Sequence, residues 1–328
     1  MNRPSTLYRF RPLGAYSERE MEALSASYLF APPFSAMNDP MEAFYETGGP
    51  GDQMVDAILG ASGKDIAEIY ALVSQMIERF ALVSFAGTVE DLPMWAYYGS
   101  NFGGMCLEFD TQRLAIGDFH GEELRPVTYA RKALPPLTVA DVASDGGREA
   151  VLARITRKRS EWSHEKEWRY VVGEVGPKHY LDDALKRVYI GPRAQPEEIE
   201  RICAILDQRP VEVLLGQTRG FDLTFETIKP ARTFADCEGV GGDEFDRDEA
   251  LYAEDELRDF LRVPFENLVR LIEEAALHPN FVGFASIDTS TTVTEAIYMT
   301  TIYKLRNNRE VYHQRFFDRK LRPLAPRL

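Results

Sequence analysis

The sequence predicts an α+β fold: mixed, mainly antiparallel strands with flanking helices over residues 1–235, then an acidic linker and a helical C-terminal region over 236–328. Three observations carry this. Short apolar or alternating runs, closed by proline, glycine or Asn-Asp turns, are interspersed with stretches of helical spacing. Neither a G-x-G-x-x-G nor a Walker A pattern is present, so a Rossmann or P-loop reading gets no support. After about residue 235 a glycine-rich acidic linker, Glu238 to Asp243, leads into helical sequence.

The elements follow in order. Leu7 to Phe10 reads as a short strand, and Ser17 with Glu20 as a capping box opening a helix over Glu18 to Ser25. SYLFAPP is a second strand, stopped by Pro32 and Pro33, and Asn38-Asp39-Pro40 is a turn. Met54, Ile58, Ile66, Ile69, Val73 and Ile77 recur at helical spacing across residues 53–80. Phe80 to Phe85 is an apolar strand, and a short helix lies within EDLPMWAYYGSN. Met105 to Phe109 and LRPVTYA are strands, and residues 137–163 read as helical. Glu167 to Val175 and Arg187 to Ile190 are strands, Pro196 to Gln208 a helix, and VEVLLG and DLTFETI strands. Beyond the linker, AEDELRDFLRVPFENLVRLIEEAAL and Thr294 to Lys304 read as helices.

A hydrophobic fraction of 45% and a charged fraction of 27% in 328 residues are those of an ordinary globular protein. No apolar run approaches the roughly 20 residues that span a bilayer. The first residues, MNRPSTLYRF, lack the apolar core of a signal peptide. Three scattered cysteines, Cys106, Cys203 and Cys237, argue against a disulfide framework or a structural zinc site. A cytoplasmic protein without membrane association is expected. The formal charge of −14 repels phosphate backbones on average, although Arg154 to Arg159 forms a local basic run and Asp236 to Asp259 an acidic one.

Four clusters can carry chemistry. On a strand, Arg9 and Arg11 face one side and Tyr8 and Phe10 the other, so two guanidiniums can clamp a phosphate or carboxylate, or pair with the protein's own acids. Asn38-Asp39-Pro40 with Glu42 either places an amide or carboxylate at a pocket rim or simply turns the chain. In LPMWAYYGSNFGG, Met94, Trp95 and Tyr98 lie on one side of a helix, and Gly103 and Gly104 permit close approach of a ligand or a strand. Such aromatics suit a nucleobase or nicotinamide ring, or equally a packed core. The fourth cluster, Arg157 to Tyr170, holds two of the three tryptophans and three glutamates. If extended from Glu165 onward, Glu165, Glu167 and Arg169 share one face. The two carboxylates then either divide a catalytic task or form an ion-pair ladder with Arg169 or Arg9. His120, His164 and His179 lack an H-x-x-x-H or H-E-x-x-H partner, and no G-x-S-x-G is present.

In this order, LYRFRPL, the NDP turn, LVSF…LPMWAYYGSNFGGMCLEFD and WSHEKEWR resemble a bacterial family known as domain of unknown function 2971, over about residues 7–230. The chain is also similar to ADP-ribosyltransferases of the Arg-Ser-Glu type: it offers Arg9 or Arg11, then Ser84, then Glu165-Lys166-Glu167. The second resemblance implies NAD as co-substrate, with the arginine on its pyrophosphate, Ser84 at the ribose, and Trp95, Tyr97 or Tyr98 against nicotinamide. Asn38 would stand at the pocket rim, Glu167 would stabilise the oxocarbenium ion, and Glu165 would direct a protein or nucleic-acid acceptor. A toxin or phage-defence effector would fit such an activity, with the C-terminal region engaging a protein partner or masking the site. Two alternatives stand beside it. One is a metal-dependent nuclease or phosphoesterase using Asp39, Glu165 and Glu167; the other is a non-enzymatic module sensing a ligand or phage protein.

Overall fold

The computed structural model describes residues 3–37, 39, 41, 46–49, 51–63, 65–241 and 250–324. The N-terminal part begins with β1 (Thr6–Arg11), α1 (Ser17–Ser25), β2 (Tyr28–Ala31), α2 (Asp52–Ala61), α3 (Ile66–Arg79), β3 (Ala81–Phe85), α4 (Leu92–Tyr97) and β4 (Met105–Asp110). It continues through α5 (Thr111–Leu114), β5 (Glu123–Pro126), β6 (Thr128–Ala130), α6 (Val139–Ala143), α7 (Gly147–Ile155), β7 (Arg157–Arg159) and β8 (Trp168–Val172). β9 (Gly176–His179), β10 (Leu185–Ile190), α8 (Pro196–Leu206), β11 (Glu212–Arg219) and β12 (Asp222–Lys229) complete it.

One sheet runs β1-β4-β10-β11-β12, antiparallel except for β10 and β11, which the α8 crossover makes parallel. A second sheet runs β3-β8-β5, all antiparallel. The two touch at a single bridge between Tyr8 and Ala86. The main core fills the space between them. Leu7, Leu107 and Ile190 from the first sheet meet Val83, Phe85, Tyr170 and Val172 from the second, with Leu24 and Leu206 closing the ends. Cys106 is fully buried, as its apolar strand predicts.

The α+β reading holds, and three local expectations are corrected. The first concerns residues 137–163, which break into α6, α7, the short strand β7 and a 3₁₀ turn over Ser160–Glu165. Part of the cause is a tight joint: a Cβ at Gly147 would lie 2.3 Å from the Val142 carbonyl. Next, α1 begins at Ser17 without a capping box, because Glu20 turns to Arg11 and Ser17 Oγ bonds Glu198 instead. Lastly, the C-terminal region is not only helical.

Among its described residues that region has the helices α9 (Glu254–Phe260) and α10 (Glu266–Ala276), packed on a four-stranded antiparallel sheet. The strands are β13 (Phe281–Thr289), β14 (Ala296–Lys304), β15 (Glu310–Asp318) and β16 (Pro323–Leu324). Thr294 to Lys304, expected as a helix, is mostly β14. Its β-branched and aromatic residues suit a pleated surface, and Ile297, Met299, Thr301 and Tyr303 alternate inward. Ile297 and Met299 pack on Leu257, Leu268 and Ile272 of the helices.

Buried charge joins this region to the rest. Asp182 takes Arg306 at 2.5 Å and Ser27 at 2.9 Å, and its N–H donates to Asn280 at 2.9 Å. Asp183 pairs with Arg113 and lies 3.1 Å from His278. Burial opposes ionisation of Asp183, but His278 and Arg113 outweigh it and hold the carboxyl far below its ordinary range. No helix among the described residues is long and apolar enough to cross a membrane.

Candidate active site

Among the described residues, the backbone of β1 bonds that of the β3 segment only just past the end of β3, where the Tyr8 N–H meets the Ala86 carbonyl at 3.0 Å and the Ala86 N–H meets that of Tyr8 at 2.6 Å. Beyond that bridge the two strands part, and a cavity of about 230 Å³ opens between them. Alternation along β1 decides which side chains it receives. Tyr8 and Phe10 border the cavity but pack on the other side with Trp95, Tyr189 and Phe225. Arg9 and Arg11 point the other way and line the cavity with Ser84, Tyr98, Lys158, Glu165 and Glu167.

The two arginines differ. Arg11 is committed: its Nε and Nη2 both reach Glu20 at 2.6 Å, and Arg19 shares that carboxylate at 2.8 Å. Arg9 Nη1 donates to the Ser84 carbonyl at 2.7 Å, and its Nε is buried with no acceptor among the described residues. Burial, with Arg11 beside it, pulls the Arg9 guanidinium down to about 9. A cavity-lining guanidinium satisfied by one carbonyl is a ready receptor for an anion.

The glutamates are not on one extended face, which corrects the strand ladder expected from Glu165 onward. Glu165 ends the 3₁₀ turn, Lys166 is left-handed at φ 45°, and β8 starts only at Trp168. The chain therefore turns a corner between the two carboxylates and brings both onto one ammonium. Lys158 Nζ lies 2.6 Å from Glu165 and 3.3 Å from Glu167. Glu167 is also gripped by the fully buried Arg169, at 2.7 Å through Nε and 2.9 Å through Nη2, and Arg169 Nη1 donates to the Ile155 carbonyl at 2.6 Å. The pairing of Arg169 with Glu167, one of the two readings left open above, is therefore present. Glu165 receives a hydrogen bond from the Tyr98 hydroxyl at 2.9 Å.

These environments drive the carboxyls apart. Burial raises Glu165, with Glu167 adding to the rise, and Lys158 and Tyr98 offset it only in part. Burial also works against charge on Glu167, but Arg169 and Lys158 outweigh it and hold the group below its ordinary value. Ser84 lies close enough to help lower Glu167, although its Oγ finds no well-aligned partner among the described residues. Two neighbouring carboxyls separated in this way suit a proton carrier beside a fixed negative charge.

Of the residues expected here, Arg9, Arg11, Ser84, Tyr98, Glu165 and Glu167 converge, and others do not. Trp95 is wholly buried, packs edge-on to Phe10 at 5.2 Å and donates from Nε1 to the Val89 carbonyl at 2.8 Å, so it belongs to the core. Tyr97 is 71% exposed and outside the cavity wall. Gly104 serves strand packing, since a Cβ there would lie 2.4 Å from the Arg11 carbonyl. Asn38, Pro40 and Glu42 lie outside the described residues. Asp39 accepts the Met41 N–H at 2.9 Å, as a turn aspartate does, and does not line the cavity.

Sequence reasoning missed Lys158, which stood only as part of a basic run. The signal was the alternation Arg157-Lys158-Arg159, which on a three-residue strand sends the middle side chain inward. Lys158 also bears on the nuclease alternative, because an ammonium lies where a divalent cation would bridge Glu165 and Glu167. No group of three His, Cys, Asp or Glu residues among those described is placed to hold a metal ion.

Residues 94–170 match the model of a family described as a protein of unknown function, DUF2971. The matched segment contains Tyr98, Lys158, Glu165, Glu167 and Arg169; Arg9 and Ser84 precede it. No curated protein and no solved structure matches the chain. Similarity to ADP-ribosyltransferases is not among these findings.

Proposed function

We propose that the cavity between β1 and β3 is the active site of an NAD-dependent ADP-ribosyltransferase. One observation carries the reading: Arg9, Ser84, Tyr98, Glu165 and Glu167, from separate chain segments, line a single cavity. Arg9 supplies charge for the pyrophosphate, and Tyr98 an aromatic face for nicotinamide. The C1′–N bond breaks with its electron pair leaving on nicotinamide. The resulting oxocarbenium ion forms beside the fixed charge of Glu167, the acceptor's nucleophile bonds C1′, and Glu165 takes the proton released.

Incubation of the full chain with labelled NAD tests this. Label transfer to a macromolecule, or release of nicotinamide, is expected; absence of both across cell lysate and nucleic acid would sink the reading. A narrower result concerns Arg9. Arg9→Met should weaken NAD binding about 10-fold or more, the value of a charge-assisted contact. Thermal stability should stay level or rise, because the variant removes a desolvated cation that has no carboxylate at ion-pair distance among the described residues. Calorimetric titration and a melting curve measure the two separately.

A further inference from the structure

We infer that the acceptor is a single-stranded nucleic acid, seated on a basic rim formed by Arg131, Lys132, Arg157 and Arg159 with Trp162 as a stacking face. The inference rests on the transferase reading for the word acceptor, but the binding surface stands on its own observations.

The strand β7 is two-sided. Lys158 points into the cavity, while Arg157 and Arg159 project outward, half-buried and exposed. β7 pairs in parallel with β6, so Arg131 and Lys132, both exposed, follow directly from the end of β6 beside Arg159. Arg157 holds this corner by donating to the Lys132 carbonyl at 2.9 Å through Nη2, and it has no ion-pair partner among the described residues. In a chain of charge −14, four cations in so small an area form a local exception. Among the described residues, the acids acting on Arg159 are Glu161, whose pair with it at 2.8 Å is exposed, and Asp39, which acts from further away. An exposed pair of that kind opens at little cost.

Trp162 adjoins Lys158, which lines the cavity. Its ring lies 5.2 Å from Lys158 Nζ, it is half-buried, and His164 stands 6.1 Å away from it. An indole packed against the cavity-lining Lys158, in the segment that directly follows β7, offers one base a π-face while adjoining phosphates meet the outward cations of β7. Arg157 and Arg159, two residues apart on a strand, are about 7 Å apart at Cα, comparable to successive phosphates of an extended nucleotide chain. A duplex, with its bases already stacked, would leave Trp162 without a partner. An acidic peptide would use the cations but not the indole.

Fluorescence anisotropy of a labelled oligothymidylate with the full chain, in the absence of NAD, tests the surface apart from any transfer. Binding is expected at low salt, with affinity falling at a log–log slope of about −0.7 per phosphate contact, and with Trp quenching. Trp162→Ala should lower affinity roughly 10-fold and leave the salt slope unchanged. The exposed pair Arg131→Ala with Lys132→Ala should lower affinity and flatten the slope; among the described residues neither side chain makes a hydrogen bond or ion pair, and the Lys132 carbonyl that holds Arg157 is kept. No binding at about 50 mM salt, equal binding of a duplex, or equal competition by polyglutamate would each overturn the inference. If the oligonucleotide binds and labelled NAD gives no transfer to it, the surface stands and the transferase reading fails. If transfer goes to protein alone, the rim is not the acceptor site.

Discussion

Glu165→Gln is expected to lower ADP-ribosyl transfer by at least about 100-fold, the usual contribution of a positioned proton acceptor. NAD binding should persist, because Arg9 and Tyr98 keep their places. The fold should also persist: burial already disfavours charge on Glu165, and Lys158 keeps Glu167 as a partner. The pH profile gives a sharper test. Burial raises the Glu165 carboxyl, so its proton-accepting form appears only above the ordinary glutamate value of about 4.3. Wild-type activity should therefore rise with pH along a limb displaced upward from that value. Residual activity in Glu165→Gln should lack the limb. A wild-type limb at or below the ordinary value would place the proton elsewhere.

Glu167→Ala should act on the fold as well as on turnover, destabilising it by about 3–5 kcal/mol in urea unfolding, the cost of removing one member of a buried ion pair. Arg169 is fully buried and reaches both oxygens of Glu167, so truncation removes two charge-assisted bonds at once. Arg169→Met alone should cost a similar amount, because Glu167 would keep its charge in a buried place. The double variant, Glu167→Leu with Arg169→Met, should recover most of the loss, since replacing both partners by apolar groups removes the desolvation problem. Additive losses in the double variant would show that the two side chains do not act as a unit. The two glutamates thus separate experimentally: one substitution strikes turnover alone, the other turnover and stability together.

The residues of β1 were legible because period-two alternation is a local property, and it assigned Arg9 and Arg11 to one face without further help. Ser84 and the glutamates were legible as residue types in order, though not their geometry. The corner at Lys166 left no mark, because a left-handed residue is usually announced by glycine or asparagine. On α4, side chains step around the axis by about 100° each, so Trp95, Tyr97 and Tyr98 diverge; only Tyr98 reaches the cavity, and choosing among them needs the neighbouring strands. The C-terminal sheet was misread because Thr294 to Lys304 was weighed without its partners. Its Ile, Tyr and Thr content and inward alternation become decisive once β13 and β15 flank it.

The left-handed backbone at Lys166 also makes the site a matter of chirality. An L-residue there carries about 1–2 kcal/mol of steric cost, retained where the surroundings fix the turn, and Gly87 packs close enough for a Cβ to sit 3.0 Å from that of Lys166. What the middle position of the Glu-x-Glu motif demands is therefore a handedness rather than a charge. Glycine, asparagine and unbranched side chains satisfy it, whereas valine, isoleucine and threonine do not. A search for related sites that scores this position by polarity would accept threonine and reject glycine, the reverse of what the backbone permits.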